Sequence, residues 1–225
     1  MTRIKICGVT TFDDALTAAG YGAQLLGFNF YRQSPRYIEP QEAQILCDEL
    51  RRVLAESCPV LVGVFVNATG SDISWVMNHV GLDFAQLSGD ESGAMMTELR
   101  GLSFKAIRPP NKALALEDVN YYRPVFPADE RIPSLLLDAY HPGLYGGTGE
   151  EASVEVALAV KEAVPRLMLA GGLTPENVGA RIAAIMPWGV DVASGVEATG
   201  QPGVKDHERM QAFIEAVRST TVGQG

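Results

Sequence analysis

Basic residues are scarce in this chain of 225 residues, which carries 18 Lys and Arg against 27 Asp and Glu and has a formal net charge of −9. A protein that binds a nucleic-acid backbone needs a positively charged surface to displace the counterions of the phosphates. The charge balance therefore argues against nucleic acid as a partner.

Long hydrophobic runs and paired cysteines are also missing. No window approaches the roughly 18 consecutive apolar residues of a membrane-spanning helix, and the first residues lack the apolar region and cleavage site of a signal peptide. The three cysteines, Cys7, Cys47 and Cys58, form neither an even disulfide set nor a paired zinc spacing. We expect a cytoplasmic protein with reduced thiols, no membrane contact and no metal site.

Eight short apolar runs of β-strand character alternate with helical patterns along the chain. The runs begin roughly 27 residues apart, which is about the length of one βα unit. They cover residues 4–9, 25–30, 61–66, 84–87, 104–108, 134–139, 167–170 and 190–194. The alternation is not interrupted by a linker or a shift in composition, which favours one parallel α/β domain over residues 1–225. Eight units in this length favour a closed (β/α)8 TIM barrel over an open doubly wound sheet.

Several helical stretches carry start signals or a buried stripe. Thr11, followed three residues later by Asp14, resembles a capping box, and Thr174 followed by Pro175 indicates an N-cap and first helical position. Cys47 lies on an apolar stripe of the second helix, which predicts a core residue. Four prolines flank the fifth helix, so we expect it to be the weakest unit and to be confined to residues 113–122.

Strand residues of a barrel alternate between the helix layer and the interior, and active sites lie at the carboxyl ends of the strands. This alternation directs Lys5 and Cys7 inward, together with Asp138 of the sixth run and Asp191 of the eighth. The same rule adds Asn29, Gln86 and Ser88. A thiol and two carboxylates are therefore predicted to meet at one mouth. Each has a simpler interpretation: Cys7 as a small core residue, Asp138 as a loop cap, and Asp191 as a buried partner of Lys5.

Glycines at the ends of the last two strands predict a phosphate site. The seventh run leads into Gly171 and Gly172 before a helix start, and the eighth leads into Ser194 and Gly195. Glycines permit close approach of backbone N–H groups to a ligand, and a phosphate between the seventh and eighth loops recurs in this fold. The alternative is that these glycines only form tight turns.

The loop after the second run contains two arginines, and the loop after the sixth contains a glycine-rich segment. Arg36, in the loop after the second run, could bind a carboxylate in a bidentate manner, although a solvated loop arginine is the ordinary expectation there and for its neighbour Arg32. The glycine-rich segment 146–149 lacks the Lys and Ser/Thr ending of a nucleotide-binding loop, so we interpret it as a lid.

Nine short motifs in this order resemble the phosphoribosylanthranilate isomerase family of tryptophan biosynthesis, and the resemblance covers the whole chain. The motifs are Lys5-Ile-Cys-Gly8, Gly27-Phe-x-Phe30, Ser34-Pro-Arg-Tyr37, Gly63-Val-Phe-Val-Asn67, Gln86-Leu-x-Gly-Asp90, Leu137-Asp138, Gly146-Gly-Thr-Gly149, Leu169-Ala-Gly-Gly-Leu-x-Pro-Glu-Asn177 and Ser194-Gly-Val-Glu197.

The resemblance implies a cofactor-free Amadori rearrangement of N-(5′-phosphoribosyl)anthranilate to 1-(o-carboxyphenylamino)-1-deoxyribulose 5-phosphate, with the phosphosugar that carries anthranilate as the only partner. It implies that Asp138 is the general acid and Cys7 the general base, with the pKa of Cys7 lowered and that of Asp138 raised. It also implies that Arg36 contacts the anthranilate carboxylate. The remaining substrate contacts are expected from Asp191 and from the phosphate site at Gly171, Gly172, Ser194 and Gly195.

Two departures from the family pattern stand out. Ser88 replaces a histidine, and residues 150–154 replace a Phe-Asp-Trp continuation of the sixth loop, which puts lid closure in doubt. Two other functions stay open. One is the related aminoaldose isomerase of histidine biosynthesis, which has an aspartate where Cys7 stands. The other is a non-catalytic phosphosugar-binding barrel. The oligomeric state, monomer or homodimer, is not decided by the sequence.

Overall fold

The computed structural model describes residues 1–138 and 153–222. Its strands are β1 (Arg3–Cys7), β2 (Leu25–Asn29), β3 (Val60–Phe65), β4 (Phe84–Leu87), β5 (Ser103–Ile107), β6 (Leu135–Leu137), β7 (Leu167–Leu169) and β8 (Gly189–Val192). Its helices are α1 (Phe12–Tyr21), α2 (Pro40–Leu54), α3 (Gly70–Val80), α4 (Gly93–Glu98), α5 (Lys112–Tyr122), α6 (Val154–Ala163), α7 (Val178–Ile185) and α8 (His207–Val222).

The strands form a closed, all-parallel barrel in sequence order, and β8 pairs with β1. The predicted (β/α)8 barrel is confirmed, and each predicted strand is present to within two residues. None of the helices in the described part of the chain has both the length and the apolar character that crossing a membrane requires.

The core has two layers, as the alternation along the strands predicts. Outward residues such as Ile4, Leu135 and Val190 pack with the helices, whereas Phe104 and Leu136 belong to a separate apolar cluster inside the barrel. That inner cluster also contains Leu25, Val62, Phe84, Ala106, Ile132, Met168 and Ala170. Apolar side chains therefore fill the barrel interior, and the polar residues of the strands line the cavity at the carboxyl ends of the strands.

Local signals in the sequence predict some helix ends correctly and others not. The side chain of Thr11 accepts a hydrogen bond from the N–H of Asp14, so the predicted cap of α1 is confirmed, and Cys47 is fully buried on α2. The predicted start of α7 at Thr174 is wrong, because α7 begins at Val178. The side chain of Asn177 instead accepts a hydrogen bond from the N–H of Thr174, which holds the preceding residues in a turn.

Helix α5 covers Lys112–Tyr122, one residue more than the predicted 113–122. The shortest α-helix described is α4, with six residues from Gly93 to Glu98, and it ends just before Arg100 and Gly101, which both have a positive φ. The fifth unit is therefore not the one with the shortest helix.

Candidate active site

One cavity of about 400 Å³ opens at the carboxyl ends of the strands. Every predicted site residue except Gly195 lines it: Cys7, Arg36, Asp138, Gly171, Gly172, Asp191 and Ser194. Asn29, Gln86 and Ser88, which the alternation of strand residues also directs inward, line the same cavity. Cys7, Asp138 and Asp191, which the alternation along the strands directs inward, thus line one cavity, as the sequence predicts.

Cys7 is the last residue of β1 and is buried, with 8% of its surface exposed to the cavity. Burial raises the pKa of its thiol, and Asp191 raises it further, while the positive charges of Lys5 and Lys205 lower it. The net effect on the pKa is upward. The expectation of a lowered pKa is therefore wrong for the protein without substrate, because loss of solvent around the thiol outweighs the nearby ammonium groups.

Asp138 follows the last residue of β6 and is half-buried at the rim of the cavity. Its backbone N–H donates to the carbonyl oxygen of Ile107 at 3.0 Å, which continues the β5–β6 pairing by one residue. The position of the carboxyl group is therefore set by the sheet. Cys7 and Asp138 reach the cavity from two strands that are not neighbours.

Asp191 on β8 lies opposite Lys5 of β1 in the strand register. The Lys5 ammonium group, which is completely buried, donates to both carboxylate oxygens of Asp191 at 3.0 Å. Both interpretations of Asp191 from the sequence are thus represented: it is the buried partner of Lys5, and it also lines the cavity.

Arg36 lies in the β2–α2 loop and is already engaged by the protein. Its Nε and NH2 groups donate to the two oxygens of Glu197 at 2.6 and 2.9 Å, and Glu197 also accepts from Lys205 at 3.2 Å. Burial alone would raise the pKa of Glu197, but Arg36 and Lys205 hold it below its ordinary range. Arg32, in contrast, is exposed and pairs with Glu39 at 3.6 Å, as a solvated loop residue does.

Gly195 lines a second cavity of about 630 Å³ that Gly172, Ser194 and Arg36 also border. A Cβ atom at position 195 would lie 1.9 Å from the carbonyl oxygen of Leu173, so only glycine permits this approach of the seventh and eighth loops. Gly172, Ser194 and Gly195 border this second cavity, which is large enough for an anionic group of a ligand.

Three charged residues at the site were not singled out from the sequence as site residues. Arg108, two residues beyond the inward Ala106, lines the cavity and donates to the carbonyl oxygen of Ser88 at 2.8 Å. The alternation along β5 would have found it. Glu197 pairs with Arg36, 161 positions away, and with Lys205. The place of Glu197 at the end of the last of the nine motifs is its sequence signal.

The glycine-rich segment 146–149 that was interpreted as a lid lies outside the described residues, as does most of the altered loop at 150–154. Within residues 1–138 and 153–222, no group of three or more His, Cys, Asp and Glu side chains could hold a metal ion. The described residues place a thiol, carboxylates and buried cations at the site.

Comparison with known proteins agrees with this geometry. Residues 4–216 match the family model of N-(5′-phosphoribosyl)anthranilate (PRA) isomerase. The chain is 39% identical to N-(5′-phosphoribosyl)anthranilate isomerase of Chlorobaculum parvum over 97% of this chain and 96% of that protein. It is 41% identical to the isomerase of a Geobacter species over 95% of this chain and 97% of that protein.

Solved structures show the same similarity. Phosphoribosyl anthranilate isomerase from Thermotoga maritima superposes with a TM-score of 0.83 at 35% identity, over 97% of this chain and 100% of that one. A phosphoribosyl anthranilate isomerase in complex with reduced 1-(o-carboxyphenylamino)-1-deoxyribulose 5-phosphate gives 0.80 at 34% identity, with the same coverage. The chain therefore belongs to the N-(5′-phosphoribosyl)anthranilate isomerase family.

Proposed function

We propose that this protein catalyses the isomerisation of N-(5′-phosphoribosyl)anthranilate to 1-(o-carboxyphenylamino)-1-deoxyribulose 5-phosphate in tryptophan biosynthesis. The observation that carries the proposal is that Cys7 and Asp138 line one cavity in a chain that belongs to this family. No cofactor is needed, because the reaction only moves protons and electron pairs within the substrate.

Asp138 acts as the general acid. Its protonated carboxyl donates a proton to the furanose ring oxygen, the C1–O bond breaks, and the nitrogen lone pair forms the C=N bond of a protonated imine. Cys7 acts as the general base in its thiolate form and removes the proton from C2, which gives an enolamine. Tautomerisation of the enolamine then gives the ketone, with a proton delivered to C1. Each proton transfer accounts for about 10²- to 10⁴-fold of the rate.

The substrate is a dianionic phosphate ester with a carboxylate, and its anions are held by aimed groups because the protein is acidic overall. The phosphate lies on the N–H groups at Gly171, Gly172, Ser194 and Gly195, which line the two cavities beyond β7 and β8. Arg36 binds the anthranilate carboxylate with the N–H groups that Glu197 does not occupy. Asp191 lies at the base of the cavity and accepts from a substrate hydroxyl.

The test is turnover of freshly prepared phosphoribosylanthranilate by the purified protein, followed by loss of the substrate or by the fluorescence change that accompanies it. Cys7→Ser and Asp138→Asn are each expected to reduce kcat by about 10²- to 10⁴-fold, because each removes one proton transfer, while KM changes little. Cys58→Ser is the matched control, since Cys58 lies outside the cavity and is expected to leave kcat unchanged. Near-normal turnover in either site variant would exclude the assigned roles.

We also propose that residues 1–225 act as a single barrel domain in the cytoplasm, as a monomer or a homodimer. The cytoplasm is the compartment of a biosynthetic enzyme whose thiol must stay reduced. One related crystal structure is of monomers generated from a dimeric isomerase of Thermotoga maritima, which supports the homodimer as one of the two states to test. Sedimentation velocity of the purified protein distinguishes them.

A further inference from the structure

Lys5 is one of the largest completely buried side chains in the described structure, and it lies beside Leu25 of the apolar cluster inside the barrel. It is held there by Asp191, whose two oxygens both accept from its ammonium group at 3.0 Å. Burying an ammonium ion costs several kcal/mol even when it is paired. Stability alone therefore does not explain why a cation is buried at this position, and a role at the site does.

Cys7 lies two residues beyond Lys5 on the same face of β1. The neighbouring strand leaves room for both side chains, because position 27, which pairs with Cys7, is a glycine. A Cβ atom there would lie 2.8 Å from Cys7 Sγ and 3.0 Å from Lys5 Nζ. The sulfur and the ammonium nitrogen therefore lie side by side across the space that Gly27 leaves open.

The charged groups that act on Cys7 come from three elements. Lys5 is on β1, Asp191 is on β8, and Lys205 is in the segment before α8. Lys205 Nζ is occupied by the carbonyl oxygen of Ala193 at 2.9 Å and by Glu197. Arg36 and Asp138 line the same cavity. Among the cations, Lys5 has the larger effect on the thiol, through its charge and a hydrogen bond, and Asp191 acts in the opposite direction.

We propose that Lys5 is a positioning residue for Cys7: its ammonium group, fixed by Asp191, is the cation that stabilises the thiolate when Cys7 acts as a base. Asp191 has two opposing effects, since it holds the ammonium in place and also neutralises part of its charge. This inference rests on the proposed isomerase function, in which Cys7 removes the C2 proton. No atom is transferred to Lys5, which keeps its proton throughout.

The test is the pH dependence of Cys7 alkylation by iodoacetamide in the protein without substrate, because only the thiolate reacts. Peptide mass analysis separates Cys7 from Cys47 and Cys58. In Lys5→Met the midpoint of the profile is expected to rise. At a fixed pH below the midpoint, the alkylation rate then falls about tenfold for every pH unit by which the midpoint rises. In Asp191→Asn the midpoint is expected to fall, because the negative charge is removed while Lys5 remains.

Opposite movements of the midpoint are the signature, since a purely structural role would loosen the site in both variants and move the midpoint in one direction. The double variant Lys5→Met/Asp191→Asn is expected to give a midpoint between those of the two single variants. It replaces Lys5→Met in the test if that single variant does not fold. Lys105→Met, which removes another buried, paired lysine on the opposite face of the sheet, is the matched control and is expected to leave the midpoint unchanged.

Turnover provides the second readout. We expect Lys5→Met to lower kcat and to leave KM within a few-fold, with part of the loss recovered at higher pH. An unchanged midpoint in Lys5→Met, or midpoints that move in the same direction in both single variants, would overturn the inference. Absence of isomerase activity in the unmodified protein would overturn the proposed function instead, and the midpoints would still decide whether Lys5 controls Cys7.

Discussion

Two lysines on the strands of this barrel are buried beside a carboxylate, one on each face of the sheet. Lys5 points into the barrel and donates to both oxygens of Asp191. Lys105 of β5 points to the helix layer and donates to one oxygen of Glu91 at 3.0 Å. Its other two hydrogen bonds, at 3.1 and 2.6 Å, go to backbone carbonyl oxygens at the end of β4. The two pairs look alike, but their surroundings differ.

The difference is visible in the pKa values. Burial lowers the pKa of both lysines, but at Lys5 the charges of Asp191 and Cys7 outweigh it and the pKa is raised. At Lys105 burial prevails over Glu91, and the positive charge of Arg108 adds to it, so the pKa is lowered. An ammonium that binds its proton more tightly suits the stabilisation of a neighbouring anion, whereas Lys105 holds the scaffold together.

Lys105 and Glu91 join three parts of the scaffold. Glu91 accepts from the N–H of Asn67 at 2.7 Å and from that of Gly89 at 2.9 Å, and its own carbonyl oxygen accepts from the hydroxyl of Tyr122 at 2.7 Å. The loops after β3 and β4 and the end of α5 are therefore tied to one buried ion pair. The Lys105–Glu91 pair, on the outer face of the sheet, thus connects loops, whereas the Lys5–Asp191 pair, on the inner face, lies beside the cavity that Cys7 lines.

The largest effect that we expect is a loss of stability in Lys105→Met, which tests whether the Lys105–Glu91 pair serves the scaffold alone. The substitution leaves the Glu91 carboxylate buried without its cation, which is expected to cost about 3–5 kcal/mol of the free energy of unfolding. Urea unfolding measures the loss. The double variant Lys105→Met/Glu91→Gln should recover much of it, and folded Lys105→Met should retain kcat. A fall in kcat similar to that of Cys7→Ser would show that the outer pair also serves catalysis.

Tyr122→Phe is expected to have a smaller effect on the same outer network. Loss of the hydroxyl leaves the buried carbonyl oxygen of Glu91 without a donor, at a cost of about 1–3 kcal/mol in urea unfolding. Tyr121→Phe is the matched control, because Tyr121 is exposed and its hydroxyl accepts a long hydrogen bond of 3.4 Å from Gly93. Equal losses in the two variants would show that the hydroxyl of Tyr122 has no special role.

The smallest expected effect is a change of the free energy of unfolding with pH in the alkaline range, and it has opposite signs for the two lysines. Lys5 has a folded-state pKa above its ordinary 10.5, so it stabilises the fold below that pH and the contribution is lost as the pH rises through the folded pKa. Lys105 has a folded-state pKa below 10.5, so the unfolded chain binds more protons in that interval and its contribution improves as the pH rises towards 10.5.

Urea unfolding across this alkaline range, with each Met variant subtracted from the unmodified protein, isolates the two contributions. We expect the difference for Lys105→Met to grow in favour of the unmodified protein up to pH 10.5, and that for Lys5→Met to shrink above it. Parallel curves would show that the two pairs have the same electrostatic balance.

Much of the fold follows from the sequence because its signals are local. Alternating apolar residues predict the eight strands and the face on which Cys7, Asp138 and Asp191 lie, and the Thr11 cap depends on a residue three positions away. The start of α7 was placed too early because Asn177 bonds back to its own loop, a choice between two turns that no periodic pattern reports.

The site is less predictable than the fold because its partners are distant in the chain. Arg36 and Glu197 are 161 positions apart, and no pattern within either segment indicates that they form a bidentate pair. The pKa of Cys7 is a balance of burial against several charges, so the direction that the family resemblance implies differs from the one that the packed structure gives. Convergence of side chains can thus be predicted from alternation, whereas the electrostatic outcome requires the packed structure.

The pairing of β1 with β8 has a consequence for synthesis of the chain. Lys5 is translated 186 positions before its partner Asp191. Strands β1 and β2 can associate early, but a cation without its carboxylate is too costly to enclose. His207 makes the same kind of late contact outside the sheet, where its Nε2 lies 2.9 Å from Asp14 Oδ1 between α8 and α1. The charged surroundings of Cys7 are therefore completed only when β8 and the segment up to Lys205 have been translated.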